Sequence, residues 1–294
     1  MTTPINFVFF GGEPLGVPVL EALKAVGLLP SLIVCNPDRP VGRKQVLTAP
    51  PVKDWARLHH IDVWQPVDYK GDYEEAARAQ LTLKEWGLFV VVAYNFILPT
   101  WLLKIPKHQT INLHPSLLPK YRGASPIRSA ILHDDREAIG VSVMLLDEKM
   151  DHGPVLAQEK FTVSASKWPV SGLWLDGELA KAGGDLLART ISAWVTGDIT
   201  PKAQDHTLAT YCGRLNKNDG ELLLDPHYLP TGAAAYKIYL KIQAYAGWPD
   251  TFFIHNNTRI KITAAQWQNN QLIIEKIIPA GKSERTFVHW LQAQ

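Results

Sequence analysis

Short, almost unbroken apolar runs recur through the first two-thirds of the chain, each separated from the next by an amphipathic stretch. Residues 6–10 (NFVFF), 31–35 (SLIVC), 88–93 (LFVVVA) and 110–113 (TINL) lack the alternation of a strand with one wet face. Strands covered on both faces have this texture, and such strands belong to parallel sheets. Residues 17–26, 52–59 and 73–83 carry apolar positions at helical spacing and read as the crossovers between them. The alternation predicts an α/β fold built on an open, mostly parallel, Rossmann-like sheet. Residues 140–147 and 155–162 read as later strands. Residues 174–195 read as a long amphipathic helix, although the Gly183-Gly184 pair disfavours one.

After Gly197 the texture changes. Residues 198–218 are polar with few periodic apolar positions, and read as a linker. Beyond them, 251–255, 259–264 and 272–278 are β-like runs separated by HNNT and QNNQ turns, which fits a small β-barrel. The expected organisation is a first domain over 1–197, a linker over 198–218 and a second domain over 219–294.

Composition excludes several classes. An apolar content of 46% suits a full core, and a net charge of +2 does not by itself announce nucleic acid. The charge is uneven: residues 237–294 hold seven Lys and Arg against three Asp and Glu. Cys35 and Cys212 are far apart, so neither a disulfide framework nor a zinc site is expected. The opening MTTPINFVFFGG lacks the basic region and cleavage site of a leader, and no apolar run is long enough to span a bilayer. The expectation is a cytoplasmic protein with no membrane partner.

The chemistry concentrates in INLHPSLLPKYRGASPI, residues 111–127. Asn112 and His114 are two apart at the end of an apolar run, so strand alternation puts them on one face. A proline-stiffened turn, Ser116-Leu117-Leu118-Pro119, follows, and Asp151 comes later in MDHGPVL. Amide, imidazole and carboxylate together can polarise a carbonyl, hold its developing charge and manage a proton. A carboxylate beside His114 would hold its imidazolium and fix its orientation. The turn would lie outside the carboxyl end of a strand, where open α/β sheets bind ligands, and its leucines and prolines offer an apolar wall for a flat ring. NPDRPVGRK (36–44) also follows a strand, and its Arg39, Arg43 and Lys44 are cations suited to phosphate.

These motifs resemble the formyltransferases that use 10-formyltetrahydrofolate, marked by Asn-x-His, an SLLP turn and a downstream Asp. PDRPVGRKQVLTAPPVK (37–53), VVVAYNFILP (90–99) and PKAQDHTLATYCGRLNKNDGEL (201–222) are similar to the branch that formylates methionyl-tRNA. The likeness runs through most of the chain and weakens after residue 225. It implies a Rossmann-like catalytic domain followed by an OB-like barrel that binds tRNA. It implies Asn112, His114 and Asp151 as catalytic residues. It implies Phe96, Ile97 and Leu98 with Ser116, Leu117, Leu118 and Pro119 as the folate-binding set, and Arg39, Arg43 and Lys44 as tRNA contacts. The implied partners of this monomer are initiator methionyl-tRNA and folate, without metal or DNA. Leu15, Asn95 and Gln243 stand where the family pattern usually carries other residues.

Rival readings have definite sequence tests. GGEPLG (11–16) has Glu13 where a dinucleotide loop needs its second glycine, and a carboxylate there would repel a pyrophosphate. His59, His60 and His133 have no ligand-like spacing to Cys or carboxylate partners. Lys237, Lys241, Arg259, Lys261, Lys276 and Lys282, among aromatics such as Tyr239, Tyr245 and Trp248, suit either an RNA face or ordinary solvation. The alternatives are a formyltransferase acting on a nucleotide-linked amino sugar, and a non-catalytic RNA-binding protein that keeps the formyltransferase shell. A formyltransferase of the phosphoribosylglycinamide type fits less well, because that family generally ends near residue 198.

Overall fold

The computed structural model describes residues 5–42 and 44–294. It divides into two compact units that interleave along the chain. The first comprises residues up to 122, 140–161 and 177–210; the second comprises 123–139, 162–176 and 211–294. The two-residue strands β8 (Arg122–Gly123) and β11 (Tyr211–Cys212) mark two of the passages between them.

The first unit is built on seven strands: β1 (Phe7–Gly11), β2 (Leu32–Val34), β5 (Val63–Trp64), β6 (Leu88–Val92), β7 (Thr110–His114), β9 (Gly140–Leu145) and β10 (Val155–Lys160). Their order is β10-β9-β7-β6-β1-β2-β5. The five from β7 to β5 are parallel, and β9 runs antiparallel to both β7 and β10. This is the expected mostly parallel α/β sheet. The crossovers are α1 (Gly16–Ala25), α2 (Pro51–Leu58), α3 (Asp72–Thr82) and the short α4 (Thr100–Leu103).

Burial explains the unbroken apolar runs. Phe7, Val8, Phe9 and Phe10 of β1 are all fully buried. Each such side chain contributes about 1.5–3 kcal/mol on leaving water, so both faces of the strand must be covered. Val8 and Phe10 pack with Ala77 and Leu81 of α3 and with Phe89 and Val91 of β6. The long helix α6 (Gly172–Thr196) tolerates its paired glycines because they are contact points. A Cβ on Gly183 would meet Leu113 Cδ2 at 2.8 Å, and one on Gly184 would meet Ala22 Cβ at 2.7 Å. The helix thus lies against β7 and α1 at a distance that side chains would forbid.

The second unit holds a four-stranded antiparallel sheet, β12 (Thr251–His255), β13 (Thr258–Gln268), β14 (Gln271–Pro279) and β15 (Arg285–Thr286), in that order. The HNNT and QNNQ turns are two-residue hairpin connections. Asn256, Asn257, Asn269 and Asn270 all have φ between 47° and 60°, the left-handed conformation such turns require. Helices α5 (Pro126–Leu132), α7 (Gly232–Tyr245) and α8 (Phe287–Gln292) complete the unit. Its core joins Ala235 and Ile242 of α7 to Phe253, Ile260, Ile274, Phe287 and Trp290. No helix among the described residues is long and apolar enough to cross a membrane.

Candidate active site

Asn112 and His114 sit at the carboxyl end of β7, between β6 and β9. They share a face, Asn112 half-buried and His114 buried. Asp151 reaches the same point from the turn between β9 and β10. Its Oδ2 lies 3.7 Å from His114 Nδ1, with the two side chains 12% and 5% exposed. That is ion-pair range, just outside direct hydrogen-bond range. The other ring nitrogen, Nε2, lies 2.9 Å from the Tyr121 carbonyl. A carbonyl only accepts, so Nε2 carries a hydrogen and Nδ1 is the nitrogen turned toward Asp151. Asp151 has φ 49° and is followed closely by Gly153, where a Cβ would collide with the Leu145 carbonyl. The backbone of MDHGP therefore sets where the carboxylate emerges.

The turn after β7 is held from two neighbouring strands. Ser142 of β9 stands opposite His114 in register and is fully buried. Its hydroxyl donates to the Ser116 carbonyl at 2.6 Å and accepts from the Leu118 N–H at 3.1 Å. Gln158 of β10 donates to the Leu118 carbonyl at 2.8 Å and to the Ser142 hydroxyl at 2.9 Å. The Ser116 hydroxyl closes the turn on the Lys120 carbonyl at 2.6 Å. Leu118 is anchored with Met144 and Val155, whereas Leu117 and Pro119 remain half-buried. Two side chains of the predicted ligand wall, Ser116 and Leu118, therefore face inward.

The 96–98 segment alternates in the same way. Phe96 packs edge-on against Tyr69 and Tyr94, with centroids 6.1 and 5.6 Å away, while Ile97 is 85% exposed. Leu98 packs on the same cluster as Phe96. Burial pushes the Tyr94 phenol far above its ordinary range and Tyr69 well up too, so their 2.8 Å hydroxyl contact is neutral. Nearby, Asn95 donates to Glu13 Oε1 at 2.6 Å. This bridges the turns that follow β6 and β1.

Arg39 and Lys44 lie on a hairpin of β3 (Arg39–Val41) and β4 (Val46–Thr48). Both strands are exposed throughout, as is Lys44, and Arg39 lies 4.0 Å from Glu13. Arg43 lies outside the described residues. At the hairpin base Lys53 bonds both Asp38 oxygens, at 2.7 and 2.8 Å, and Gln65 at 2.6 Å. The Lys53 bonds, with a further 2.8 Å bond from Gln65 Nε2, hold the Asp38 carboxyl below its usual range. In the second unit several predicted cations have local partners. Lys261 pairs with Asp250, Lys276 with Glu284, Lys241 donates to the Glu221 carbonyl, and Arg259 lies over the Phe252 ring.

Sequence reasoning missed Ser142, Gln158, Tyr121, Arg122, Gln204 and Thr210, all of which buttress this site. Tyr121 and Arg122 lie inside the stretch 111–127 and Gln204 and Thr210 inside 201–222, yet nothing in those motifs gives them a role, while Ser142 leaves a lone hydroxyl inside the apolar run GVSVML. Among the described residues no group of three or more His, Cys, Asp and Glu could hold a metal ion.

Residues 5–171 match the formyl transferase family. A methionyl-tRNA formyltransferase of Halalkalibacterium halodurans is 37% identical over 262 residues, covering 89% of this chain and 78% of that one. Solved structures share the fold at much lower identity. An N-formyltransferase from Helicobacter canadensis, in complex with folinic acid and dTDP-3-aminofucose, has a TM-score of 0.64 at 20% identity, covering 90% of this chain and 88% of that one. A methionyl-tRNA formyltransferase from Clostridium thermocellum has a TM-score of 0.58 at 14% identity, covering 95% of this chain and all of that one.

Proposed function

The chain belongs to the methionyl-tRNA formyltransferase family, and on that premise we propose that Asn112, His114 and Asp151 carry its transfer of a formyl group from 10-formyltetrahydrofolate to the amine of methionyl-tRNA. The observation that carries the assignment is the convergence of amide, imidazole and carboxylate at one strand end, with Asp151 3.7 Å from His114. In the reaction the amine nitrogen bonds to the formyl carbon, and the carbon's bond to the folate nitrogen breaks. A proton passes from the incoming amine to the departing nitrogen. Meanwhile negative charge grows on the formyl oxygen. The Asn112 amide and a protonated His114 Nδ1 donate to that oxygen, while Nε2 stays fixed on the Tyr121 carbonyl. Asp151, 3.7 Å from Nδ1, balances the charge of the imidazolium and relays the proton that the amine sheds.

Folate fits the surface offered by residues 96–98 and 116–119. Exposed Ile97 and half-buried Leu117 and Pro119 supply apolar contact, while Phe96, Leu98, Ser116 and Leu118 set the shape from behind. Arg39 and Lys44 on the β3–β4 hairpin, together with Arg43, are the contact for the acceptor end of tRNA. Residues 1–197 then form the catalytic domain and 219–294 an OB-like domain for the rest of the tRNA, acting as a monomer in the cytoplasm. The test is formyl transfer from labelled 10-formyltetrahydrofolate, run in parallel with charged initiator tRNA and with an amino-sugar nucleotide. Transfer to tRNA alone is expected. Transfer to the sugar alone would replace the acceptor, and transfer to neither would remove the enzyme assignment.

A further inference from the structure

The polar stretch after α6 begins inside the unit that holds the site. Lys202 and Val155 exchange two backbone hydrogen bonds of 2.8 Å, which fixes the segment beside β10. Gln204 follows, only 8% exposed. Its side-chain nitrogen donates to the carbonyls of Asp151, at 3.0 Å, and Gly153, at 2.7 Å. Its side-chain oxygen accepts from Arg122 Nε at 3.2 Å and Nη2 at 2.7 Å. Arg122 is 1% exposed and also donates from Nη2 to His206 Nδ1 at 2.8 Å. At the end of the segment Thr210 grips the other half of the site. Its Oγ1 accepts from the Tyr121 N–H and its carbonyl from the Arg122 N–H, both at 2.8 Å. Tyr121 in turn presents the carbonyl on which His114 rests.

A buried guanidinium needs acceptors on all sides, and a primary amide with both hydrogens committed has one orientation. Gln204 meets both conditions while touching the backbone on either side of His152, next to the carboxylate. We propose that residues 202–210 are a positioning clamp for the transfer reaction. In this clamp Gln204, backed by Arg122, sets Asp151 against His114, and Thr210 sets the Tyr121 carbonyl that orients the imidazole. The proposal rests on the catalytic reading of Asn112, His114 and Asp151. None of the clamp residues is assigned contact with substrate; they act through those three. Displacing a reacting group by about 1 Å can cost on the order of a hundredfold, so a loosened clamp acts on turnover rather than on affinity.

Gln204→Glu separates a clamp from a mere anchor for Arg122. Glutamate still accepts from the guanidinium, but it cannot donate to the Asp151 and Gly153 carbonyls. Steady-state formylation of charged initiator tRNA is measured for wild type, Gln204→Ala and Gln204→Glu, with melting curves and a pH profile of kcat. Both variants are expected to lose about tenfold in kcat, with KM for tRNA and folate within about twofold of wild type. Their kcat profiles should also shift on the acid limb. Wild-type kcat in Gln204→Glu would reduce Gln204 to a structural anchor and overturn the proposal, as would unchanged kcat in both variants. If neither variant folds, Thr210→Ala, which removes only the Oγ1 acceptor, decides: a several-fold fall in kcat supports the clamp and none overturns it. Wild-type protein that formylates no tRNA under the same conditions fails the catalytic reading instead, and does so before any variant is compared.

Discussion

The turn after β7 and the β3–β4 hairpin both follow strands of the same sheet and both announce themselves in sequence, yet they are built in opposite ways. Around the turn, Ser142, Gln158 and the Ser116 hydroxyl bond the Ser116 and Lys120 carbonyls and both backbone groups of Leu118. The hairpin strands are exposed on every residue, and Val46 and Leu47 are left in solvent. A group that must meet a developing charge within a few tenths of an ångström needs the first construction. A surface that meets a large flexible polyanion through charge needs only the second. Changes near the turn should therefore act on rate and fold, and changes in the hairpin on affinity and its salt dependence.

The largest effect is expected at the strand end. Asn112→Ala and His114→Ala should each lower kcat by about a hundredfold or more, because in the proposed mechanism each donates to the oxyanion. Asp151→Asn should act similarly by removing the charge opposite Nδ1. Thermal melts should stay close to wild type for Asn112→Ala, whose side chain is half-exposed. Single-turnover rates with folded protein are the measurement. Near-normal turnover in all three variants would leave this end of the contrast without chemistry.

Ser142→Ala probes the construction rather than the chemistry. It strips the acceptor from the buried Leu118 N–H and one partner from Gln158. Leaving such groups unmet costs about 1–3 kcal/mol of stability, readable by urea denaturation. Because the turn then relaxes, KM for folate should rise several-fold. A variant as stable as wild type with unchanged folate KM would mean that the turn holds its shape without β9.

The hairpin should behave otherwise. Arg39→Ala, Lys44→Ala and Arg43→Ala should leave stability and folate KM unchanged while weakening tRNA binding. Each lost phosphate contact should reduce the slope of log K against log salt by about one unit. Titrations of tRNA at three or more salt concentrations measure this. A large loss of folate binding in any of them would merge the two regions and erase the contrast.

Much of this was legible in sequence, because continuous burial writes itself as continuous apolar runs. That is why β1, β2, β6 and β7 could be read directly. β5 could not, since two residues, Val63 and Trp64, carry no period. Helix α7 was hidden because its lysines and aromatics, read as a charge pattern, obscured the core-facing stripe of Ala235, Ile238 and Ile242. Asn112, His114 and Asp151 stood out as candidates because the proposed chemistry requires particular residue types, and the fold brings His114 and Asp151 to within 3.7 Å. Gln204 and Arg122 did not, because a polar residue in a polar stretch looks solvated until the fold buries it. The supports of the site are long-range pairs, 82 residues apart for Arg122 and Gln204, and sequence spacing does not encode such meetings.

The smallest expected effect concerns pH. Arg122 has only donors, so its 2.8 Å contact with His206 Nδ1 requires that nitrogen to be an unprotonated acceptor. Partial desolvation, then the charges of His152, Arg122 and Lys149, hold the His206 imidazole below its ordinary value of 6.5, against a smaller opposing pull from Asp147. His152 stacks on His206 at 4.0 Å and is itself bonded to Asp147. A depressed value in the fold means that the unfolded chain binds more protons below about pH 6.5, so stability falls as pH drops through that point and levels off below the native value. The ring is solvent-exposed, which keeps the effect modest. His206→Gln, with a neutral acceptor in the same place, should remove this part of the slope and leave stability near neutrality close to wild type. Melting temperatures of both proteins from pH 8 to pH 5 should diverge below about pH 6.5, with wild type falling faster. Parallel curves would mean that the His206 contact contributes nothing to holding Arg122.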